Sequence, residues 1–241
     1  KANKVVNKAV IPIAGFGTRL YPETRYVKKE LLPVVDKDGL VKPALLVLLE
    51  ELDSIGIEKI CLIINPEEKS LYEDLFLKPI SASHYEKLSP QMKEYENKLH
   101  NISGKLHFVY QAEQKGFGHA VYQAAEFAGE EPVLLLLGDT IYQSKTSKPC
   151  TSQLLEAFDT YGGPIIAAQK IPVEDVSNYG IFNGIWENEK KTVMRCSKIV
   201  EKPSTVYARE FLAVRTEESK RECYGAFGAY ILTKEVFYSL K

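Results

Sequence analysis

The chain has 241 residues, 45% of them hydrophobic, and a formal net charge of −1. That is enough apolar material for one large α/β core. The near-neutral balance excludes bulk attraction to nucleic acid or an anionic membrane, so any phosphate ligand must be held by a local cluster of charges. Four widely spaced cysteines (Cys61, Cys150, Cys196 and Cys223), with no C-x-x-C pair, signal neither a zinc site nor a disulfide framework. Cys61 and Cys196 lie in apolar strand-like stretches and read as core. The amino-terminal KANKVVNK holds no apolar stretch of signal-peptide length, and no segment is long enough to span a bilayer. A cytoplasmic protein is expected, in which the Asn101-Ile102-Ser103 sequon has no use. The sequence begins without Met and stops inside a helical pattern at Phe237–Lys241, as a processed chain or part of a longer one would.

In chain order, Val5–Ile13 reads as a first strand, β-branched and ended by glycines. Leu31–Asp36 is a short extended piece. Pro43–Ile55 has helical apolar spacing and stops near Gly56. Lys59–Ile64 is a strand without polar alternation, the pattern of a parallel sheet covered on both faces. Glu67–Phe76 predicts a helix. His84–His100 is long and polar with Pro90 inside it, which predicts a broken helix or lid outside the core. Leu106–Tyr110 (strand), Gly118–Ala128 (helix), Pro132–Gly138 (the central strand), Ser152–Tyr161 (helix) and Pro164–Gln169 (strand) continue the alternation. Tyr179–Glu187, Thr192–Glu201 and Cys223–Leu232 are strand-like with no long helix between them. The expected fold is therefore an α/β, Rossmann-like, doubly wound and mostly parallel sheet with a mixed-strand extension.

The chemistry begins in Lys8–Pro33, where an apolar strand runs into Ala14-Gly15-Phe16-Gly17-Thr18-Arg19. Glycines allow close backbone approach to an anion, and Arg19 offers a planar fork of donors to phosphate oxygens. A tight strand-exit turn with a surface arginine would look the same. The dinucleotide fingerprint G-x-G-x-x-G fails because position 20 is Leu, and no G-x-x-x-x-G-K-[ST] loop is present. Lys28-Lys29-Glu30-Leu31-Leu32-Pro33 follows at close range and puts a lysine just ahead of a buried turn.

The combined pattern, A-G-x-G-T-R-x-x-P-x-T and then K-E-x-L-P, resembles the sugar-nucleotide pyrophosphorylases of the nucleotidyltransferase family. Within it the pattern is most similar to bacterial-type UTP–glucose-1-phosphate uridylyltransferases. The resemblance runs from about Val5 to Lys241. It implies a glycosyltransferase-A-like nucleotidyltransferase fold in one domain, residues 1–241. Residues 1–170 would be the nucleotide-binding part and residues 171–241 the sugar-phosphate part.

Further segments resemble the family. Gln111-Ala112-Glu113-Gln114-Lys115-Gly116-Phe117-Gly118-His119-Ala120 matches its base-recognition segment. A Gln amide presents one donor and one acceptor in a plane, which suits the imide edge of uracil or thymine equally. Gly116 would let the ring lie on backbone. His119, at a predicted helix start, reads as a capping or packing residue and is left out of catalysis. Leu136-Leu137-Gly138-Asp139 ends the most apolar strand on a carboxylate, where ligands sit in open α/β sheets. The resemblance makes Asp139 the family's Mg²⁺ ligand. Tyr179-Gly180-Ile181 and Val200-Glu201-Lys202-Pro203 resemble the family's sugar-phosphate motifs, with Gly180 against the sugar, Glu201 on its hydroxyls and Lys202 on its phosphate. Gly225–Tyr230 resembles the next family strand, whose small residues line the sugar pocket.

The resemblance implies an enzyme that makes UDP-glucose and pyrophosphate from UTP and glucose 1-phosphate. Arg19 and Lys29 would act on the phosphates. Ala14, Gly15, Gly17, Thr18, Gln111 and Gly116 would hold the nucleotide. Small molecules are then the expected partners, with neither nucleic acid nor membrane, and a homo-oligomer is compatible with the sequence. Two other readings stay open: the same chemistry with dTTP or another hexose 1-phosphate, or a non-catalytic sugar-nucleotide-binding or regulatory domain. The chain also departs from the pattern. Lys28 stands where the family usually has Pro, so register assigns Lys29 as the active lysine while Lys28 could share its role. Asp36–Lys42 is slightly longer than usual. In the family a second metal-associated aspartate and closing helices follow the strand matching Cys223–Leu232, and this sequence stops at Lys241 before they could appear, so a C-terminally truncated domain is expected.

Overall fold

A computed structural model describes residues 5–215 and 221–241; the first four residues of the KANKVVNK segment lie outside the described residues. The chain runs through β1 (Lys8–Pro12), β2 (Pro33–Val35), β3 (Val41–Pro43), α1 (Ala44–Ser54), β4 (Lys59–Ile64), α2 (Lys69–Phe76), α3 (Ala82–Glu86), α4 (Pro90–Ser103), β5 (Leu106–Tyr110), α5 (Phe117–Tyr122), α6 (Ala125–Ala128), β6 (Val133–Leu136), α7 (Cys150–Tyr161) and β7 (Ile165–Ile171). It continues through β8 (Gly180–Trp186), β9 (Met194–Glu201), the short α8 (Thr205–Tyr207), β10 (Val214–Arg215), β11 (Arg221–Leu232) and α9 (Lys234–Ser239).

Among the described residues, nine strands form one sheet in the order β5-β4-β1-β6-β11-β8-β9, with β7 and β10 also paired to β11. The first four of that order run parallel. Strand β11 turns the sheet antiparallel, and β7, β8 and β10 pair with it in that sense. The mostly parallel α/β sheet with a mixed extension is therefore the observed fold. The chain leaves β1 to one side through β4 and β5, then crosses back to β6 on the other side. The C-terminal ends of β1 and β6 thus flank a topological switch point, the place in an open sheet where a crevice forms.

Two-residue periodicity divides the core. Ala9, Ile11, Leu62, Leu134 and Leu136 face the side covered by Leu45, Leu48, Leu49 and Leu52, a helical stripe of α1. Val10, Cys61, Ile63 and Leu135 face the other side, under Val121, Ala124, Ala128 and Phe237. Both faces are buried, which is why β4 and β6 carry no polar alternation. A smaller core of Ile171, Val176, Ile181, Ala208, Leu212 and Cys223 supports the antiparallel extension.

Two expectations need correction. Cys196 is exposed, not core, because β9 is the outermost strand of the sheet path and most of its residues face solvent. The helix expected over Gly118–Ala128 is two helices. The Gln123 side chain takes the His119 carbonyl at 3.2 Å, the acceptor its own N–H would use in an α-helix. That N–H bonds Ala120 O instead, and Ala124 N bonds Val121 O. The segment His84–His100 is broken as expected, with Pro90 at the first turn of α4 behind Ser89, whose Oγ accepts from Met92 N at 3.3 Å.

The lengthened stretch Asp36–Lys42 is the β2–β3 hairpin, and it buries a lysine. Lys42 is 4% exposed, with its Nζ 2.7 Å from Asp36, 2.5 Å from Asp38 and 2.6 Å from Glu50. Glu50 also binds Lys98 of α4 at 2.7 Å, so the cage ties the hairpin to α1 and α4. Lys42→Met is expected to destabilise the fold by about 3 kcal/mol, because it strands carboxylates that lose their cation. Burial pushes the Asp36 carboxyl up, but Lys42 and the Lys37 N–H outweigh this and hold it below its ordinary value. The cage's stabilisation is then full above about pH 4 and lost as pH falls below it. Urea unfolding of wild type and variant at neutral and acid pH reads both effects, and the difference between them should shrink in acid.

Candidate active site

The loop after β1 is shaped by two glycines that behave differently. At Gly15 a Cβ would meet nothing within 4 Å, so packing does not demand the glycine and its backbone lies open to an approaching ligand. Gly17 has φ 66°, and a Cβ there would lie 2.8 Å from Thr24 Cγ2 and 3.5 Å from Lys29 Cδ. Thr24 Oγ1 donates to Gly17 O at 3.0 Å. The Lys29 stem therefore lies along Gly17 and Thr24. Arg19 and Thr18 are exposed on the following short turn.

Across the switch point, β6 hands over to Gly138-Asp139. A Cβ at Gly138 would come within 2.3 Å of Ile13 Cγ2, so only glycine lets this end of β6 cross so near β1. The crossing brings Asp139 Oδ2 to 2.7 Å from Lys29 Nζ. The backbone just before Asp139 is held by Leu137 N donating to Gly228 O at 3.0 Å, and Gly228 O also accepts the Tyr142 hydroxyl at 2.6 Å. Gly228 sits in the irregular stretch of β11 with φ 80°. Lys28 does not share the position of Lys29: it forms an ion pair with Glu68, at the start of α2.

The Gln111–Gly116 loop closes a third side. Gln111 is 2% exposed; its N–H donates to Ile64 O at 2.9 Å, extending β5 alongside β4. Its Nε2 reaches Gly116 O at 3.4 Å and His119 Nδ1 at 3.0 Å, and His119 Nε2 lies 3.2 Å from Gln123 Nε2. The amide nitrogen is thus spent inside the loop, and among the described residues the amide oxygen takes no hydrogen bond. Gly116 has φ 98°, and a Cβ there would meet nothing within 4 Å. His119 packs and bonds at the start of α5, as its position suggested. Gln114 was not singled out from the sequence. Its Nε2 donates to Ala14 O at 3.1 Å and joins this loop to the loop after β1. No spacing rule marks a glutamine that reaches a backbone carbonyl across the sheet.

On the extension, Gly180 and Glu201 face each other in register, and a Cβ on Gly180 would lie 2.9 Å from Glu201 Oε2. Strand β9 ends at Glu201. Lys202 then takes φ 47°, with its N–H on Tyr179 O at 2.9 Å, so the strict strand alternation of the two side chains is broken. Burial, and then the Glu201 charge, push the Tyr230 hydroxyl up. Tyr230 in turn lies against Phe117 of α5, ring centroids 6.2 Å apart, which links β11 to the end of the Gln111–Gly116 loop. The structure therefore brings Gly17, Lys29 and Asp139 into one contact group, Gln111 and Gly116 into a second, and Gly180 and Glu201 into a third. Among the described residues neither Arg19 nor Lys202 forms an ion pair; the partner of Asp139 is Lys29.

Among the described residues one cluster of three carboxylates has metal-ligand proximity: Asp36, Asp38 and Glu50. Its cation is already the Lys42 ammonium. Asp139 is instead a single exposed carboxylate at the crevice, paired with the Lys29 ammonium.

The family model for nucleotidyl transferase matches residues 8–241. The chain belongs to the nucleotidyl transferase family. Among its relatives, a UTP–glucose-1-phosphate uridylyltransferase of Bacillus subtilis is 36% identical over 240 residues, covering 99% of this chain and 73% of that protein. A second one from the same organism is 33% identical over 239 residues, covering 99% and 74%. Solved structures agree. An apo UDP-glucose pyrophosphorylase superposes with a TM-score of 0.79 at 28% identity, over 98% of this chain and 80% of that one. A UDP-glucose pyrophosphorylase complexed with UDP-glucose gives 0.73 at 28% identity, over 98% and 79%. The chain is an enzyme of the uridylyltransferase-like branch of this family. No helix among the described residues is long and apolar enough to cross a membrane.

Proposed function

We propose that the chain transfers uridylyl from UTP to glucose 1-phosphate, giving UDP-glucose and pyrophosphate. The observation that carries this reading is the Lys29–Asp139 pair at the ends of β1 and β6, in a chain whose relatives are uridylyltransferases. An oxygen of the sugar phosphate attacks the α-phosphorus. The bond from that phosphorus to the bridging oxygen breaks, and pyrophosphate leaves with the electron pair. The attacking oxygen is already ionised, so no protein base is required. Catalysis is placement and charge neutralisation among anions.

The backbone of Ala14, Gly15, Gly17 and Thr18 approaches the triphosphate. Arg19 and Lys29 hold the phosphates that depart, with the Lys29 ammonium exchanging Asp139 for phosphate oxygens. Gln111 offers its amide oxygen to the imide N–H of the base, which rests over Gly116. Gly180 and Glu201 receive the sugar, and Lys202 balances its phosphate. Mg²⁺ held by Asp139 would supply Lewis-acid charge at the α-phosphate. In this reading the whole chain acts as one domain on charged small molecules, in the cytoplasm.

A thymine nucleotide presents the same imide edge as uracil, so the preference for UTP rests on the relatives. Pyrophosphate release in Mg²⁺, with UTP or dTTP against a panel of hexose 1-phosphates, tests the assignment. The highest kcat/KM is expected for UTP with glucose 1-phosphate. A preference for dTTP overturns the base, and a preference for another hexose overturns the sugar. Binding of UDP-glucose without turnover, in this chain and in a C-terminally longer one, would assign a regulatory role instead.

A further inference from the structure

Lys29 sits between two residues that are gripped by α2 and by the turn that leads into it. Lys28 Nζ is paired with Glu68, and Glu30 accepts the hydroxyl of Tyr72. Glu30 and Tyr72 are each 0% exposed. Lys29–Leu31 is a short turn of 3₁₀ helix, with Lys28 in extended conformation as its N-cap. Lys28 and Glu30 are directed at Glu68 and Tyr72, whereas Lys29 Nζ lies 2.7 Å from Asp139. The gripping element is itself anchored. Asn65, immediately after β4, caps the turn that leads into α2, with Oδ1 accepting Glu67 N at 3.0 Å. The Tyr72 ring stacks on Phe76 at 6.5 Å.

This arrangement is costly for a merely structural contact. Glu30 Oε2 and Glu68 Oε2 are both buried with no hydrogen-bond partner among the described residues. Burial pushes the Glu30 carboxyl above its ordinary value, against the pull of Tyr72, its own N–H, Lys29 and Lys28. Apolar residues of similar shape would pack there at no loss of stability. Fixing a direction is what the polar pairs add. We propose that Glu68, Tyr72 and Glu30 are positioning residues that aim Lys29 into the crevice, so that α2 sets the geometry of the departing-phosphate side. The proposal rests on the role assigned to Lys29 above.

The test is a double-mutant cycle on the whole chain. Tyr72→Phe and Glu68→Gln are each measured alone and with Lys29→Ala, for kcat, for KM of both substrates and for Tm. Each single variant is expected to lose about tenfold to a hundredfold in kcat, the scale of a small misplacement at a reacting centre. KM should stay within about twofold, because the interaction lost is one made in the transition state. In the Lys29→Ala background the same substitutions should change kcat by less than about twofold, since no lysine is left to aim. Losses that multiply undiminished in that background overturn the positioning role and leave the role of Lys29 intact. Wild-type turnover in Lys29→Ala alone overturns the underlying reading, and the clamp with it. Glu68→Gln carries the test if Tm shows that Tyr72→Phe is unfolded.

Discussion

Replacing Lys29 with alanine should cut kcat by about 10²–10³ while the protein folds normally. Removal of one preorganised charge-stabilising donor has that scale of effect. The Lys29 stem is held along Gly17 and Thr24, and its ammonium faces Asp139 at 2.7 Å, so the charge is already in place before a ligand arrives. A cation fixed beside the departing phosphates gains most as the bond to pyrophosphate breaks and charge builds on the leaving group. The loss should therefore appear in kcat, with KM for glucose 1-phosphate little altered. Stability should hardly move. Asp139 is exposed, and a pair with one partner in water contributes no more than about 1 kcal/mol, or about 3 °C in Tm for a domain of this size. Lys28→Ala is the internal comparison. Its partner is Glu68 at α2 rather than Asp139, so its kcat should fall less than that of Lys29→Ala. Steady-state pyrophosphate release and a thermal melt decide the matter, and near-normal turnover in Lys29→Ala would falsify the assignment.

Asp139→Asn should be the second large loss, on the order of 10³ in kcat if the carboxylate holds Mg²⁺ at the reacting phosphate. Its signature differs from that of Lys29→Ala. The residual rate should no longer rise with added Mg²⁺. Binding of UTP in a chelator should be unchanged or tighter, because the substitution removes a negative charge from the path of the triphosphate and frees Lys29. Binding of UTP in Mg²⁺ should weaken. Calorimetric titration of UTP with and without Mg²⁺ separates the two. A carboxylate that merely oriented Lys29 would lower both affinities together, and that outcome would remove Asp139 from the metal site.

Most of the parallel half of the fold was legible from pattern. The apolar runs that became β4 and β6 show no alternation because both faces of those strands are covered. The helical stripe Leu45, Leu48, Leu49 and Leu52 is visible as spacing alone. The reading lapsed where a local signal was overridden. At Cys196 an apolar-looking run lies on the outermost strand, where no further strand covers it. At Gln123 a side chain took the acceptor a continuous helix needed. The hairpin at Asp36–Lys42 was visible only as extra length, because the cage around Lys42 draws Glu50 from α1 and binds Lys98 of α4 through it.

For the site, the sequence by itself determined which residue types stand at the two strand ends and in what order: the glycines and Arg19 after β1, the Lys-Lys-Glu turn, the Gln111 loop, and Gly138-Asp139 after β6. Chain order and side-chain chemistry are local properties, so they survive without coordinates. Only the tertiary structure shows which of Lys28 and Lys29 faces Asp139. The two are neighbours of the same charge, and what separates them is direction. Glu68 and Tyr72, some forty residues downstream, draw Lys28 and Glu30 toward α2. Gly138, packed against Ile13, lets Asp139 come to meet the lysine that remains. Directions set by contacts between distant segments leave no periodicity in the chain, because the partners are brought together only when the sheet closes around the crossing of β1 and β6.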